Sequence, residues 1–222
     1  FSPSSSDVVH TIELGDAEAG WSVSGLGGDI DGDEVPDFLV GSPWATLQTA
    51  DGAAKHAGRV AVVSGADGSI AGWVDLGDEA AADDLFGYEV AGLGDLDDDG
   101  IPDFAVSAPR RTVGGLVGAG AVGFYSGATA LEGGAGIELS DGELPALFGG
   151  GLEHGNLGLT LAGAGDVTGD KVADVLIGEP HWLDASGDRV GRAFLLSGSD
   201  GSLVESYFAN GDAVESFGWS VA

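Results

Sequence analysis

Three nine-residue acidic segments recur along this chain, and no other feature restricts its possible folds as much. They are Asp29-Ile30-Asp31-Gly32-Asp33-Glu34-Val35-Pro36-Asp37, Asp95-Leu96-Asp97-Asp98-Asp99-Gly100-Ile101-Pro102-Asp103 and Asp166-Val167-Thr168-Gly169-Asp170-Lys171-Val172-Ala173-Asp174. Their starts lie 66 and 71 residues apart. A Gly-marked apolar stretch precedes each one (Gly20 to Gly25, Phe86 to Gly92, Leu157 to Gly163). A short apolar run follows each, and it stops at Gly41-Ser42-Pro43, Ser107-Ala108-Pro109 or Gly178-Glu179-Pro180. A third run then spans Gly58 to Gly65, Gly120 to Gly127 and Gly191 to Gly198. In two repeats it leads to Asp67-Gly68 and Asp200-Gly201, a pair favoured in two-residue hairpin turns, and then to expected outer strands over Ser69 to Leu76 and Ser202 to Ala209.

Four short antiparallel strands per unit of ~65 residues, with an acidic loop between the first two, predict an all-β β-propeller. A single four-stranded sheet cannot bury both of its faces, but sheets stacked radially can. A β-sandwich has no need for the same loop at the same place three times. The repeats fall at about 20–85, 86–156 and 157–216, within one propeller segment over 1–222. Partial repeats flank them at 1–19 and 217–222. Val8 to Leu14 is expected as the outer fourth strand of a preceding unit. Phe217 to Ala222, which echoes Gly20 to Ser24, is expected as the first strand of a following one. Three full blades with partial blades at both ends leave an open arc, so either more chain exists or copies associate through unpaired edges.

Composition agrees with many tight turns and few helices: 42 of the 222 residues are Gly and 7 are Pro. The net charge of −30 repels phosphate, which excludes nucleic-acid and anionic-membrane partners. Cys is absent, so there is no disulfide framework, thiolate metal site or cysteine nucleophile. The chain also lacks Met and starts at Phe1, which implies a processed protein or a cut fragment; the first residues carry no signal-peptide pattern. Thr112 to Leu131 is uncharged but rich in Gly, and it is assigned to a strand with its flanking loops; no membrane insertion is expected.

The acidic segments carry the chemistry. Oxygen-bearing side chains stand at positions 1, 3, 5 and 9: Asp29, Asp31, Asp33 and Asp37; Asp95, Asp97, Asp99 and Asp103; Asp166, Thr168, Asp170 and Asp174. Carboxylates ~4 Å apart repel by ~4 kcal/mol per pair at an effective dielectric of about 20. A hard cation relieves that repulsion. Ca²⁺ accepts six to eight oxygen ligands in flexible geometry, so up to three ions are expected, one per loop. The carbonyls at position 7, of Val35, Ile101 and Val172, are natural further ligands. Mg²⁺ demands tighter geometry, and Zn²⁺ prefers His or Cys, which the segments lack. An EF-hand needs Glu at position 12, where Val40, Val106 and Ile177 stand inside apolar runs. The third loop is expected to bind most weakly, because Thr168 replaces an acid and Lys171 adds positive charge. Position 6 is Gly100 in one loop but Glu34 and Lys171 in the others, which is strained if that position needs φ > 0.

Phe86-Gly87 and Phe217-Gly218, the acidic loops, and turns such as Ser107-Ala108-Pro109 and Gly41-Ser42-Pro43 resemble the FG-GAP repeat of integrin α-subunit N-terminal propellers and their bacterial relatives. Ala19-Gly20, Leu157-Gly158 and Gly178-Glu179-Pro180 depart from the pattern. The resemblance implies a seven-bladed propeller, calcium loops on one face, and adhesion or ligand binding away from those loops.

Catalytic motifs find little support. Gly118 to Gly123 spells a dinucleotide-binding pattern, but Phe124 and Tyr125 continue a strand where that motif needs a helix. No nucleophile elbow or phosphate loop occurs, and no enzyme is expected. Trp44 and Trp182 follow the Pro-terminated turns and are candidates for a loop surface that stacks on sugars or anchors a protein; Trp21 and Trp219 are expected to pack between blades. Arg110 and Arg111 are expected to form simple ion pairs. The reading is a calcium-binding module of an extracellular or cell-surface protein, mediating adhesion or binding a protein or glycan ligand. Two others stay open: a structural module whose open ends join copies into a ring or filament, and a non-catalytic accessory propeller of a secreted enzyme.

Overall fold

The short apolar runs that form the second and third strands of each unit are continuous, so those strands are buried on both faces and the sheets have to stack to cover them. The computed structural model describes residues 10–15, 18–131, 147–208 and 217–222. It is all-β, with three four-stranded antiparallel sheets, one two-stranded hairpin and almost no helix among the described residues.

The first sheet contains β1 (Ser22–Gly25), β2 (Phe38–Ser42), β5 (Arg59–Val63) and β6 (Ile70–Val74), in that order. The hairpin of β3 (Leu47–Thr49) and β4 (Gly52–Ala54) is inserted between β2 and β5. The second sheet contains β7 (Val90–Gly94), β8 (Asp103–Ala108), β9 (Ala121–Tyr125) and β10 (Leu147–Gly149), with the short helix α1 (Gly127–Ala130) after β9. The third contains β11 (Thr160–Gly165), β12 (Asp174–Glu179), β13 (Arg192–Leu196) and β14 (Leu203–Phe208). Each sheet is a simple meander in chain order, apart from the inserted hairpin.

The sheets stack face on face. Leu39, Val60 and Val62 of the first meet Phe104, Val106 and Tyr125 of the second in one buried cluster, together with Phe86. Ala105, Val122 and Phe124 on the other face of the second sheet meet Val175, Ile177, Phe194 and Leu196 of the third. Each fully buried Leu, Val or Phe contributes about 1.5–3 kcal/mol relative to exposure. The first strands lie close together. Ser22 Oγ and Ser24 Oγ accept the N–H groups of Val90 and Gly92, and a Cβ on Gly92 would run into the carbonyl of Gly25.

One device joins successive units. Gly58, Gly120 and Gly191 form isolated parallel bridges with Phe86, Leu157 and Phe217. All three glycines have φ between +69° and +86°, and a Cβ on any of them would collide with the bridged backbone. The residue that opens each new unit is thereby locked to the preceding sheet.

Several sequence expectations need correction. His10 to Leu14 forms no strand; Val8 and Val9 lie outside the described residues. Ile12 and Leu14 instead pack on Val40, Ala61 and Val63, burying apolar surface without a ladder partner. Trp219 to Ala222 also forms no strand, because no following strand stands beside it among the described residues. The Asp-Gly pairs do not close two-residue hairpins. The loops are longer, with Gly68 N–H donating to Ser64 O (3.0 Å) and Gly201 N–H to Ser197 O (2.8 Å). β3 and β4 were not legible as strands, since Leu47 to Ala54 shows little alternation. Ala209 lies outside the described residues.

Candidate functional site

The acidic loops join the first and second strands of each sheet, and their own amides fold back onto their carboxylates. Asp29 accepts N–H bonds from Gly32, Asp33 and Glu34. Asp95 accepts from Asp99 and Gly100, and Asp166 from Gly169 and Lys171. The position-5 carboxylates of Asp33, Asp99 and Asp170 accept from Val35, Ile101 and Val172. Curling the chain this tightly requires left-handed backbone at two positions. Position 4 is Gly32 (φ 86°), Asp98 (φ 60°) and Gly169 (φ 83°); position 6 is Glu34 (φ 68°), Gly100 (φ 89°) and Lys171 (φ 77°). Each loop therefore holds one Gly and one strained non-Gly residue at these two positions.

The carboxylates of Asp29, Asp31 and Asp33 converge, with one oxygen from each lying within 4.8 Å of the others. Asp95, Asp97 and Asp99 converge in the same way. These two loops fit a hard divalent cation: the donors are all oxygen, short-armed and largely exposed. Burial and the charges of Asp37 and Asp33 push the Asp31 carboxyl up. Burial and the charges of Asp99 and Asp95 do the same for Asp97. A bound cation would stabilise the charged forms and reverse these shifts. At Asp29 desolvation also pushes upward, but the amides of Glu34, Gly32, Asp33 and Asp31 together outweigh it and hold the carboxyl below its ordinary range.

Position 9 behaves differently. Asp37, Asp103 and Asp174 are buried, and each staples two parts of its sheet. The amides of Ile30, Leu96 and Val167 donate to one carboxylate oxygen, each at 2.7 Å. The amides of Gly65, Gly127 and Gly198, which follow the third strands, donate to the other at 2.9–3.2 Å. Each oxygen of Asp37 and Asp103 keeps a second lone pair, so the staple there is compatible with metal ligation; on Asp174, Thr168 adds a further donor to each oxygen. Burial pushes the Asp103 carboxyl up to about 6 against the pull of the Gly127 and Leu96 amides, with Asp97 and Asp99 adding to the rise.

The third loop lacks the convergent carboxylate trio. Thr168 donates its N–H to Asp174 Oδ2 at 2.8 Å, and its hydroxyl reaches Asp174 Oδ1 at 3.4 Å. The Ser199 hydroxyl donates to Asp170 at 2.7 Å and leads the effects that hold that carboxyl below its ordinary range. Ser64 donates to Asp33 at 3.0 Å in the first loop. Sequence reasoning missed these serines; the repeated Ser64-Gly65, Ser126-Gly127 and Ser197-Gly198 pairs were a visible signal for Ser64, whereas Ser199 stands just outside its pair.

At the opposite ends of the same strands lies a cleft of about 290 Å³. Trp21, Tyr88, Leu159 and Trp219, each the residue after a unit-opening Gly, line it. So do Trp44, Arg110 and His181, each the residue after a turn Pro. Trp21 and Trp44 meet edge-on at 4.5 Å, and Tyr88 lies 5.4 Å from Trp21. Trp21 and Trp219 are 48% and 57% exposed, which corrects the expectation that they pack between sheets. Both stand outside the strands, on the wall of this cleft, where Trp21 also touches Tyr88 of the next unit. Trp182 does not line the cleft; it packs against Phe208 and under Arg192. Arg111 forms the expected ion pairs, to Asp84 at 3.0 Å and Glu79 at 3.1 Å.

Residues 86–125 match the FG-GAP repeat family model, a span that runs from Phe86 through the second acidic loop to the end of β9. The chain is 33% identical over 167 residues to integrin alpha-5 of Xenopus laevis, covering 72% of this chain and 14% of that protein. It is 30% identical over 150 residues to human (Homo sapiens) integrin alpha-7, covering 68% of this chain and 11% of that protein. Against integrin alpha-V of Gallus gallus it is 31% identical over 151 residues, covering 68% of this chain and 14% of that protein. The chain thus spans no more than 14% of the length of these relatives.

Proposed function

Because this chain belongs to the FG-GAP repeat family of integrin α-type sequences, we propose that it is a calcium-stabilised β-propeller module of an extracellular or cell-surface protein, which binds a ligand on the side away from its acidic loops. The observation that carries this reading is the convergence of Asp29, Asp31 and Asp33, and of Asp95, Asp97 and Asp99, at the same place in successive sheets. Ca²⁺ would neutralise these carboxylates and clamp the first strand to the second. Asp37 and Asp103 would couple each loop to the third strand through Gly65 and Gly127. Thr168 and Lys171 make the third loop the weakest site.

A protein partner is favoured by the integrin-type relatives. A catalytic role has no supporting constellation among the described residues. Assembly of copies through open edges is a second reading, favoured by the outer strand β14, where Leu203, Val204, Tyr207 and Phe208 are all exposed.

Native mass spectrometry with and without millimolar Ca²⁺ tests both readings. Two tightly bound ions and a weaker third support the loops. A discrete oligomer adds assembly to the function, and a monomer argues against it. No bound calcium at millimolar supply overturns the metal reading.

A further inference from the structure

The cleft opposite the acidic loops combines aromatic rings with a lone cation in a very acidic protein. The chain has 7 Lys and Arg against 37 Asp and Glu, so an arginine readily finds an acidic partner. Arg111 does so twice. Arg110, its neighbour, is exposed on the rim of the cleft and makes no ion pair or side-chain hydrogen bond among the described residues. Its charge reaches Tyr88, whose phenol is pushed up by burial and by Glu89 and drawn back down by Arg110.

The other walls are defined in detail. Asn156 Nδ2 donates to Pro109 O at 2.9 Å, which fixes the orientation of the amide. Its Oδ1 faces His181 Nδ1 at 2.7 Å, so His181 donates there and its Nε2 is the acceptor. Burial, with help from Arg189, holds the His181 pKa below its ordinary value and keeps the ring neutral. Trp219 stands 5.9 Å from His181.

We propose that this cleft binds a saccharide residue carrying a carboxylate, of the uronic-acid class, with the sugar ring against Trp21, Trp44, Tyr88 and Trp219 and the carboxylate paired with Arg110. Aromatic faces suit the C–H face of a sugar ring, and Asn156 and His181 offer polar partners for its hydroxyls. A volume of about 290 Å³ is at the small end for ligand sites and suits one ring rather than a length of peptide. An acidic peptide side chain would use Arg110 but leave the rings unused. A polyanion is repelled by the −30 net charge, whereas a single carboxylate beside Arg110 is attracted locally over about one Debye length of ~8 Å.

The inference rests on reading the chain as a ligand-binding module, and its test is independent of calcium. Tryptophan fluorescence and calorimetry on the calcium-equilibrated chain would compare a glucuronic-acid disaccharide, the matching glucose disaccharide and a triglutamate peptide. The acidic sugar should bind saturably, with the neutral sugar and the peptide each at least tenfold weaker. Arg110→Gln should abolish the preference for acid over neutral sugar, and Trp219→Ala should weaken both sugars. Circular dichroism and the calcium-induced Tm shift should stay unchanged in both variants. Equal binding of neutral and acidic sugars, equal binding of the peptide, indifference to Arg110→Gln, or no saturable binding by folded protein each overturn the proposal. Saccharide binding by a chain that takes up no calcium would leave the cleft standing and sink only the metal reading.

Discussion

Asp103 accepts the backbone N–H of Gly127 at 3.0 Å, fully buried and 24 residues apart in sequence. The bond ties the end of the second acidic loop to the end of β9. The equivalent bonds join Asp37 to Gly65 and Asp174 to Gly198. A Cβ on Gly127 would collide with the carbonyl of Pro102, so the glycine is required by close approach as well as by the bond. Asp103→Asn removes one acceptor and turns an amide donor toward a backbone N–H. Hydrogen bonds to charged groups are worth about 1.5–3 kcal/mol each, so a loss of ~2–4 kcal/mol is expected in urea unfolding. Gly127→Ala should cost about 1–3 kcal/mol by overpacking. A loss within 0.5 kcal/mol for both variants would remove the staple from this account.

Calcium should stabilise the chain by mass action. Each site held at 100 times its Kd adds about 2.7 kcal/mol, so chelation should lower Tm measurably in calorimetry. Asp97→Ala should reduce that shift more than Thr168→Ala, since only Asp97 belongs to a convergent trio. An equal loss from the two variants would contradict the ranking of the loops.

The third loop can be repaired. Thr168→Asp restores a carboxylate at position 3, and Lys171→Gly removes both a positive charge and a residue held at φ 77°. The double variant should tighten the weakest calcium site at least tenfold in calorimetric titration. Unchanged affinity would count against the assignment of Thr168 as a ligand position.

Glu179 gives a pH signature. Its side chain is fully buried, one oxygen is held by Arg192, and the other has no partner among the described residues. Burial pushes its carboxyl above the ordinary 4.5, against the pull of Arg192. Between 4.5 and the raised folded value, the folded chain holds more protons than the unfolded chain. The contribution of this group to stability is therefore greatest below that window and falls as pH rises through it. Glu179→Gln should remove this slope, so wild type should lose stability relative to the variant between pH 4 and 7. Urea midpoints at four pH values measure the difference; a difference that grows the other way refutes the assignment.

Much of the fold was legible because it repeats. Repeated apolar runs bounded by Gly and Pro marked the first three strands of every unit, and Phe86, Leu157 and Phe217 marked the unit starts. Leu47 to Ala54 belongs to no repeated run, so the inserted hairpin was invisible. Ile12 and Leu14 alternate like a strand, yet they serve as a cover on Val40, Ala61 and Val63. Alternation reports which residues are buried, but it does not report whether the backbone beside them finds a ladder partner.

The sequence alone determined where the oxygen donors stand, since their spacing within nine residues and the left-handed positions at Glu34, Gly100 and Lys171 are local properties of the chain. Tertiary structure decided what those donors do: Asp31 shares its space with neighbouring carboxylates, while Asp103 is drawn inward to hold Gly127. It also separated Arg110 from Arg111 and gathered Trp21, Trp44, Tyr88 and Trp219 around one cleft. The reason is that local geometry depends on residues a few positions apart, whereas the cleft and the staples join positions that only the stacking of sheets brings within hydrogen-bond or ring-contact distance.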